Sequence, residues 1–263
     1  MQKAINLYIS KKLSYETLLQ MIGKAGFDGV IIPYEMIRDY DKEEINKLLA
    51  QNNLQVQMIH CSYNKNDLDA FWDCEGPEGD NLLNDYIKQV EKIKDFAPVD
   101  FVIHLVNTPG DRYTKVGENR LKKLVQIAAQ NNIRICAENT YSVYNQKMIF
   151  ENIKSDFFKM CYDLGHEHWL TPDADLSQDL CKKIEQLHLH NNDGVYDWHQ
   201  PLFEGKMSVE KTAQKIAELK DDIALSLELK FVDDRLSQEF FDEQKASLDK
   251  LENMINEYKK KIG

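Results

Sequence analysis

The 263-residue chain is predicted to fold as one (β/α)8 barrel, a TIM barrel, over residues 1–263. Three observations predict it. Eight short runs rich in Val, Ile and Leu alternate with helical patterns, which implies a parallel sheet. The length suits one barrel of about 250 residues; two small domains would also fit it, but no Pro/Gly/Ser-rich linker divides the chain. All seven histidines fall at or just beyond the C-terminal end of a predicted strand, and none falls inside a predicted helix. That end of the strands is where such a barrel gathers its chemistry.

The strands are expected near 3–9, 29–34, 55–60, 101–106, 134–138, 159–164, 184–190 and 224–229. Near-continuous apolar runs such as GVIIPY and DFVIHLV suit strands buried on both faces. Between them, apolar residues recur at three- and four-residue spacing. Leu18, Leu19 and Ile22 form one helical stripe, and Leu121, Leu124, Val125 and Ala128 another. The last segment, 237–261, carries Leu248, Leu251, Met254 and Ile255 as its stripe. This helix either closes the barrel or serves a homo-oligomer interface. The connections 61–80 and 107–117 are long, carry Gly and Pro, and read as functional lids or as irregular insertions. Trp72, Trp169 and Trp198 are all read as loop residues on this face, where they bind a ligand or cap the core.

The strand ends carry metal-ligand chemistry. The histidines are His60, His104, His166, His168, His188, His190 and His199, and Glu138, Asp163 and Glu228 stand at matching ends. Neutral imidazole and carboxylate are ligands that divalent transition metals select. Glu228 interrupts the apolar run ALSLELK, and a buried acid needs a metal or a paired Lys or Arg. His188 and His190 are two apart on an extended segment and point to the same side, as do Asp197 and His199. Asp163 and His166 are three apart. His168 reads as solvent-exposed. The ion expected is Mn, Zn, Co or Mg.

Bulk properties narrow the partners. A net charge of −11 argues against a broad electrostatic grip on nucleic acid and leaves room for a local basic groove. Cys61, Cys74, Cys136, Cys161 and Cys181 include no CxxC pair, which suits a reducing compartment. The opening MQKAINLYISKK lacks the apolar core of a signal peptide, and no run approaches a membrane span. A cytoplasmic protein that does not enter membranes is the expectation. Lys206 and Lys230 are candidate anion contacts but read first as ordinary surface or rim lysines, and no Gly-rich phosphate loop follows the seventh or eighth strand.

In order along the chain stand IHCSY (59–63), VIH (102–104), AENT (137–140), YDLGH (162–166), HLHNNDG (188–194), DWHQPLFEG (197–205) and SLELK (226–230). This series resembles the xylose isomerase-like TIM barrels, the superfamily of sugar-phosphate isomerases and epimerases and of endonuclease IV-type AP endonucleases. The resemblance spans nearly the whole chain. It implies Glu138, Asp163, His188 and Glu228 as ligands of a mononuclear site, leaving His188 or His190 as the histidine. Glu138 and Glu228 are then the proton-transferring carboxylates of a metal-dependent isomerase or epimerase, through an enediolate. His166, His190 and His199 would bind sugar hydroxyls, and Trp72 and Trp198 would cover the sugar's apolar face. The alternative it implies is abasic-site DNA cleavage by a trinuclear zinc site, with His60, His104, His166, Asp197 and His199 as additional ligands. Asn191 stands where the isomerase and epimerase members often carry Asp, which puts a carboxylate role there in doubt.

Overall fold

The computed structural model describes residues 1–73 and 75–262; Cys74 lies outside them. Eight parallel strands form the barrel: β1 (Lys3–Asn6), β2 (Gly29–Pro33), β3 (Gln55–His60), β4 (Val99–Ile103), β5 (Ile133–Glu138), β6 (Phe158–Asp163), β7 (Ile184–His188) and β8 (Leu225–Leu227). Their order is β7-β6-β5-β4-β3-β2-β1-β8. The Leu189–Leu227 bridge closes the seam between β7 and β8, with Leu189 N donating to Ser226 O at 2.8 Å and Glu228 N to Leu189 O at 3.0 Å. Every expected strand is present; β1, β2, β4, β7 and β8 are shorter than expected, β3 and β6 have the expected length and β5 is longer.

The helices are α1 (Tyr15–Lys24), α2 (Tyr34–Asp39), α3 (Lys42–Gln51), α4 (Lys65–Asp73), α5 (Pro77–Ile93), α6 (Lys115–Gln130), α7 (Val143–Asn152), α8 (Leu164–Leu170), α9 (Leu176–Leu180), α10 (Val209–Ala217) and α11 (Gln238–Ile262). Side-chain caps set several starts, as Ser14 does for α1, Thr114 for α6 and Ser208 for α10. The expected stripes of α1 and α6 are buried. In α11, Leu248, Leu251 and Ile255 are buried against the barrel, where the helix packs on α1 and α10.

Inside the barrel a thin apolar layer of Ile31, Met58, Val102, Cys136 and Cys161 separates two polar ends. The N-terminal end is plugged by Asp100, which accepts from Arg134 at 2.6 and 2.7 Å and from Gln186 at 2.5 Å. The opposite end carries the histidines and acids. Two asparagines extend the sheet there with their side chains. Asn139 donates to Asp163 O at 2.8 Å and accepts from Asp163 N at 2.7 Å. Asn6 does the same for Leu229, at 3.0 and 2.9 Å. Each amide completes backbone pairing where the strands splay apart.

Three expectations are corrected here. The 61–80 connection is not a lid without structure of its own, since it holds α4 and the start of α5. Trp72 and Trp169 are helical, in α4 and α8, which leaves Trp198 as the loop tryptophan. His166 and His168 also lie in a helix, because α8 begins at once after β6, with the Asp163 side chain accepting from His166 N at 2.7 Å.

Candidate metal centre

The strand ends deliver their side chains to one point. β3 ends on His60, β5 on Glu138, β6 on Asp163 and β7 on His188, while His104 and Glu228 follow β4 and β8 directly. Beyond β7 the chain returns through the antiparallel Asn191–Gln200 bridge, which brings Asp197 and His199 back over the mouth. His199 takes a left-handed φ of 45° to do so, a strained conformation typical of functional sites.

Glu138, Asp163, His188 and Glu228 each offer a donor atom within 4.8 Å of the others. His188 Nδ1 lies 3.3 Å from Glu138 Oε2, 3.3 Å from Glu228 Oε2 and 3.9 Å from Asp163 Oδ2. Among the described residues, both Glu138 oxygens, Glu228 Oε2 and His188 Nδ1 are buried without a hydrogen-bond partner. Buried charge left unpaired is costly. Orphaned atoms converging from three strands, with Asp163 beside them on a fourth, are what a divalent cation satisfies, and three carboxylates with one imidazole suit Mn, Zn, Co or Mg. His188 stands in this group, whereas the His190 ring lies 3.1 Å from Asp163 and 3.7 Å from Asp197.

Two more groups flank the first. His60 and His104 share Glu138 with it, and His166, His190, Asp197 and His199 form the other. Three of these rings are held alike by backbone carbonyls. His60 Nδ1 lies 3.0 Å from Cys61 O, His166 Nδ1 3.0 Å from Asn139 O, and His199 Nδ1 2.9 Å from Glu228 O. A carbonyl only accepts, so each Nδ1 carries a hydrogen, and each ring in its neutral form presents the Nε2 lone pair to the pocket. A backbone partner of this kind orients metal-ligating histidines.

Charge balance ties the groups together. Burial opposes ionisation of Glu138, yet His104 and His188 hold it well below the usual carboxylate range; Lys230 and His188 overcome burial likewise for Glu228. Asp197 is kept down, against burial, by His166 and His199. Burial lowers His104 and His199 below the ordinary imidazole value. It also opposes the charge on His60, which the contacts to Cys61 and Glu138 nevertheless lift to about 10.

The site gathers Glu138, Asp163, His188, Glu228, His60, His104, His166, His190, Asp197 and His199. It does not gather Trp72, which is fully buried, donates to Leu105 O at 2.6 Å and packs on Gly117, so it presents no face to a ligand. Trp198 is 44% exposed at the rim, its ring nitrogen turned to Asp193 at 3.2 Å. His168 is half-buried rather than exposed, with Nε2 enclosed. Asn191 serves the loop: its amide donates to Leu202 O and Met207 O at 2.6 and 3.1 Å and accepts from Asn192 N and Met207 N at 2.8 Å each. An Asp has no hydrogens for those two carbonyls.

Lys230 is not a plain rim lysine, for its Nζ stands 3.0 Å from Glu228 Oε1. Sequence reasoning also missed Tyr8, whose hydroxyl donates to the same oxygen at 2.9 Å, and Asn139. Position was the available signal: Tyr8 closely follows β1, and Asn139 follows Glu138 directly.

Comparison with known proteins agrees with this fold. A family model described as xylose isomerase-like TIM barrel matches residues 19–254. An uncharacterized curated protein of Sinorhizobium fredii, y4fM, is 29% identical over 98 residues; the match takes in 37% of this chain and 31% of that protein's length. A D-psicose 3-epimerase from Clostridium cellulolyticum, solved with D-tagatose, superposes with a TM-score of 0.77 at 13% identity, over 97% of this chain and 99% of the other. An L-ribulose 3-epimerase gives 0.78 at 16%, over 100% and 97%. The probable 3-DHS dehydratase AsbF of petrobactin synthesis in Bacillus anthracis gives 0.70 at 14%, over 94% and 98%. Identities this low speak for the fold.

Proposed function

Because the chain belongs to the xylose isomerase-like TIM barrel family, we propose that it is a divalent-metal-dependent isomerase or epimerase of a small carbohydrate, free or phosphorylated. The observation that carries this reading is the convergence of Glu138, Asp163, His188 and Glu228, with orphaned acceptor atoms facing one another. The 3-epimerase names of two structural neighbours support it.

An ion held by these four residues supplies Lewis acidity toward the oxygens of a bound carbonyl compound. Glu138, with two unpartnered oxygens, is the group suited to take the proton from the carbon beside the carbonyl. The C–H electron pair then becomes a carbon–carbon double bond, and the carbonyl pair moves to oxygen, giving an enediolate. Glu228 then delivers to carbon a proton drawn from the Lys230 ammonium at its Oε1, where Tyr8 also donates; solvent restores the lysine's proton as Glu138 releases the one it took. His166 and His190 bind hydroxyls, whereas His199, expected with them, has Nδ1 on Glu228 O and Nε2 against Lys230; the exposed rim at Trp198 borders the sugar.

A second reading is hydrolysis of abasic-site DNA by a polynuclear zinc centre. What favours it is the pair of flanking groups, one of them sharing Glu138, and the three imidazoles turned by backbone carbonyls. The net charge of −11 favours the first reading. Elemental analysis of the purified protein, then a screen of free and phosphorylated ketoses beside an abasic-site oligomer, tests both. One ion per chain with ketose turnover supports the isomerase or epimerase. Three zinc ions with strand cleavage support the hydrolase.

A further inference from the structure

Lys230 lies where two of the candidate ion groups meet. Its Nζ is 3.0 Å from Glu228 Oε1 and 3.0 Å from His199 Nε2, and 5.8 Å from the centre of the Tyr8 ring. Glu228 is thereby divided between two tasks. Its Oε1 receives Lys230 and the Tyr8 hydroxyl, while Oε2 has no hydrogen-bond partner and faces His188 Nδ1 at 3.3 Å.

His199 is divided as well. Its Nδ1–H donates to Glu228 O, so the lone pair on Nε2 is the one that meets Lys230. That lone pair stands 2.9 Å from Asp197 Oδ2. Two acceptors at this range need a cation or a proton facing them. The Lys230 ammonium, a compact cation with three donors, already occupies that side. A metal ion on the same nitrogen would lie within a few ångströms of the ammonium, and like charges at that distance repel strongly.

We propose that Lys230 is the resident cation of the His166–His190–Asp197–His199 corner, so that this corner holds no metal ion of its own while the lysine is in place. The ligand count of the mouth therefore overstates its capacity for metal. With two acceptors bound, the ammonium keeps one N–H for a substrate oxygen. This corner is then a subsite for a hydroxyl or an oxyanion. The inference rests on the reading that the Glu138–Asp163–His188–Glu228 group binds a divalent ion.

The test is an ion count. The full-length protein is loaded with excess Zn2+, gel-filtered and measured by plasma mass spectrometry. The wild type, His199→Ala, Lys230→Met and the double variant are compared. Equal counts are expected for the wild type and His199→Ala. Lys230→Met gains one ion per chain, and the double variant returns to the wild-type count. An unchanged count in folded Lys230→Met, or a loss on His199→Ala in the wild-type background, overturns the proposal. If Lys230→Met does not fold, His199→Ala alone decides. A wild type that binds no ion overturns the metal reading and this inference together; a loss on His199→Ala overturns only the role of Lys230.

Discussion

Glu138 shows how little a side chain says without its surroundings. It is fully buried, has no hydrogen-bond donor on either oxygen among the described residues and is ringed by imidazoles. Replacing it by Gln keeps the volume and removes the charge that the proposed ion would meet. Glu138→Gln is expected to weaken ion retention by at least about 100-fold, beyond the range seen for partners one step removed, as read by elemental analysis after dialysis. Glu228→Gln should lose the ion and turnover together; full activity on the true substrate would sink the two-carboxylate scheme. Asn191 gives the opposite lesson. Its departure from the pattern of relatives looks chemical in the sequence, yet its amide spends both hydrogens on loop carbonyls. Asn191→Asp should cost about 1–3 kcal/mol in urea unfolding, without a change in the pH profile of any activity.

At the scale of elements, strand positions were legible because a run buried on both faces has an apolar signature of its own. Short helices were not. The segment DLGHEHWL carries no apolar stripe at helical spacing, and α8 exists because Asp163 caps it and β6 ends against it. The α4 segment does carry a short stripe, Leu68, Phe71 and Trp72 at three- and four-residue spacing, but polar residues flank it and packing fixes it. The Trp72 ring lies against Gly117 of α6, where an added Cβ would stand 2.1 Å from Cε3. Trp72→Ala should destabilise the protein by about 3–5 kcal/mol while leaving ligand affinity of the folded variant unchanged. A selective loss of affinity at unchanged stability would return Trp72 to the binding site.

Across the whole molecule, charge sets the acid limit. Glu118 is buried among Lys115 at 2.5 Å, Lys122 at 2.6 Å and the Tyr113 hydroxyl. The hydrogen bonds from Lys115 and Lys122 hold its carboxyl at about 2, below the ordinary 4.5. The folded value is the lower one, so this contribution is complete above about pH 4.5. It is lost as pH falls from there through 2. Glu118→Gln should flatten that part of the acid limb in unfolding measured against pH; an unchanged slope would show that the cluster does not govern it. The net charge of −11 favours the small-molecule reading over a broad grip on nucleic acid, although a local basic patch acts independently of it.

Hydrophobic periodicity alone determined that eight buried strands alternate with helices, and residue type alone determined that their C-terminal ends carry imidazole and carboxylate. Both are properties of short stretches. Only the tertiary structure decided which side chains share a point. It put His188 rather than His190 with Glu138, Asp163 and Glu228, sent Trp72 into the core and brought Lys230 onto Glu228 and His199. Those outcomes depend on barrel closure, which sets distances between residues as far apart in sequence as Glu138 and Glu228, and no local pattern encodes such distances.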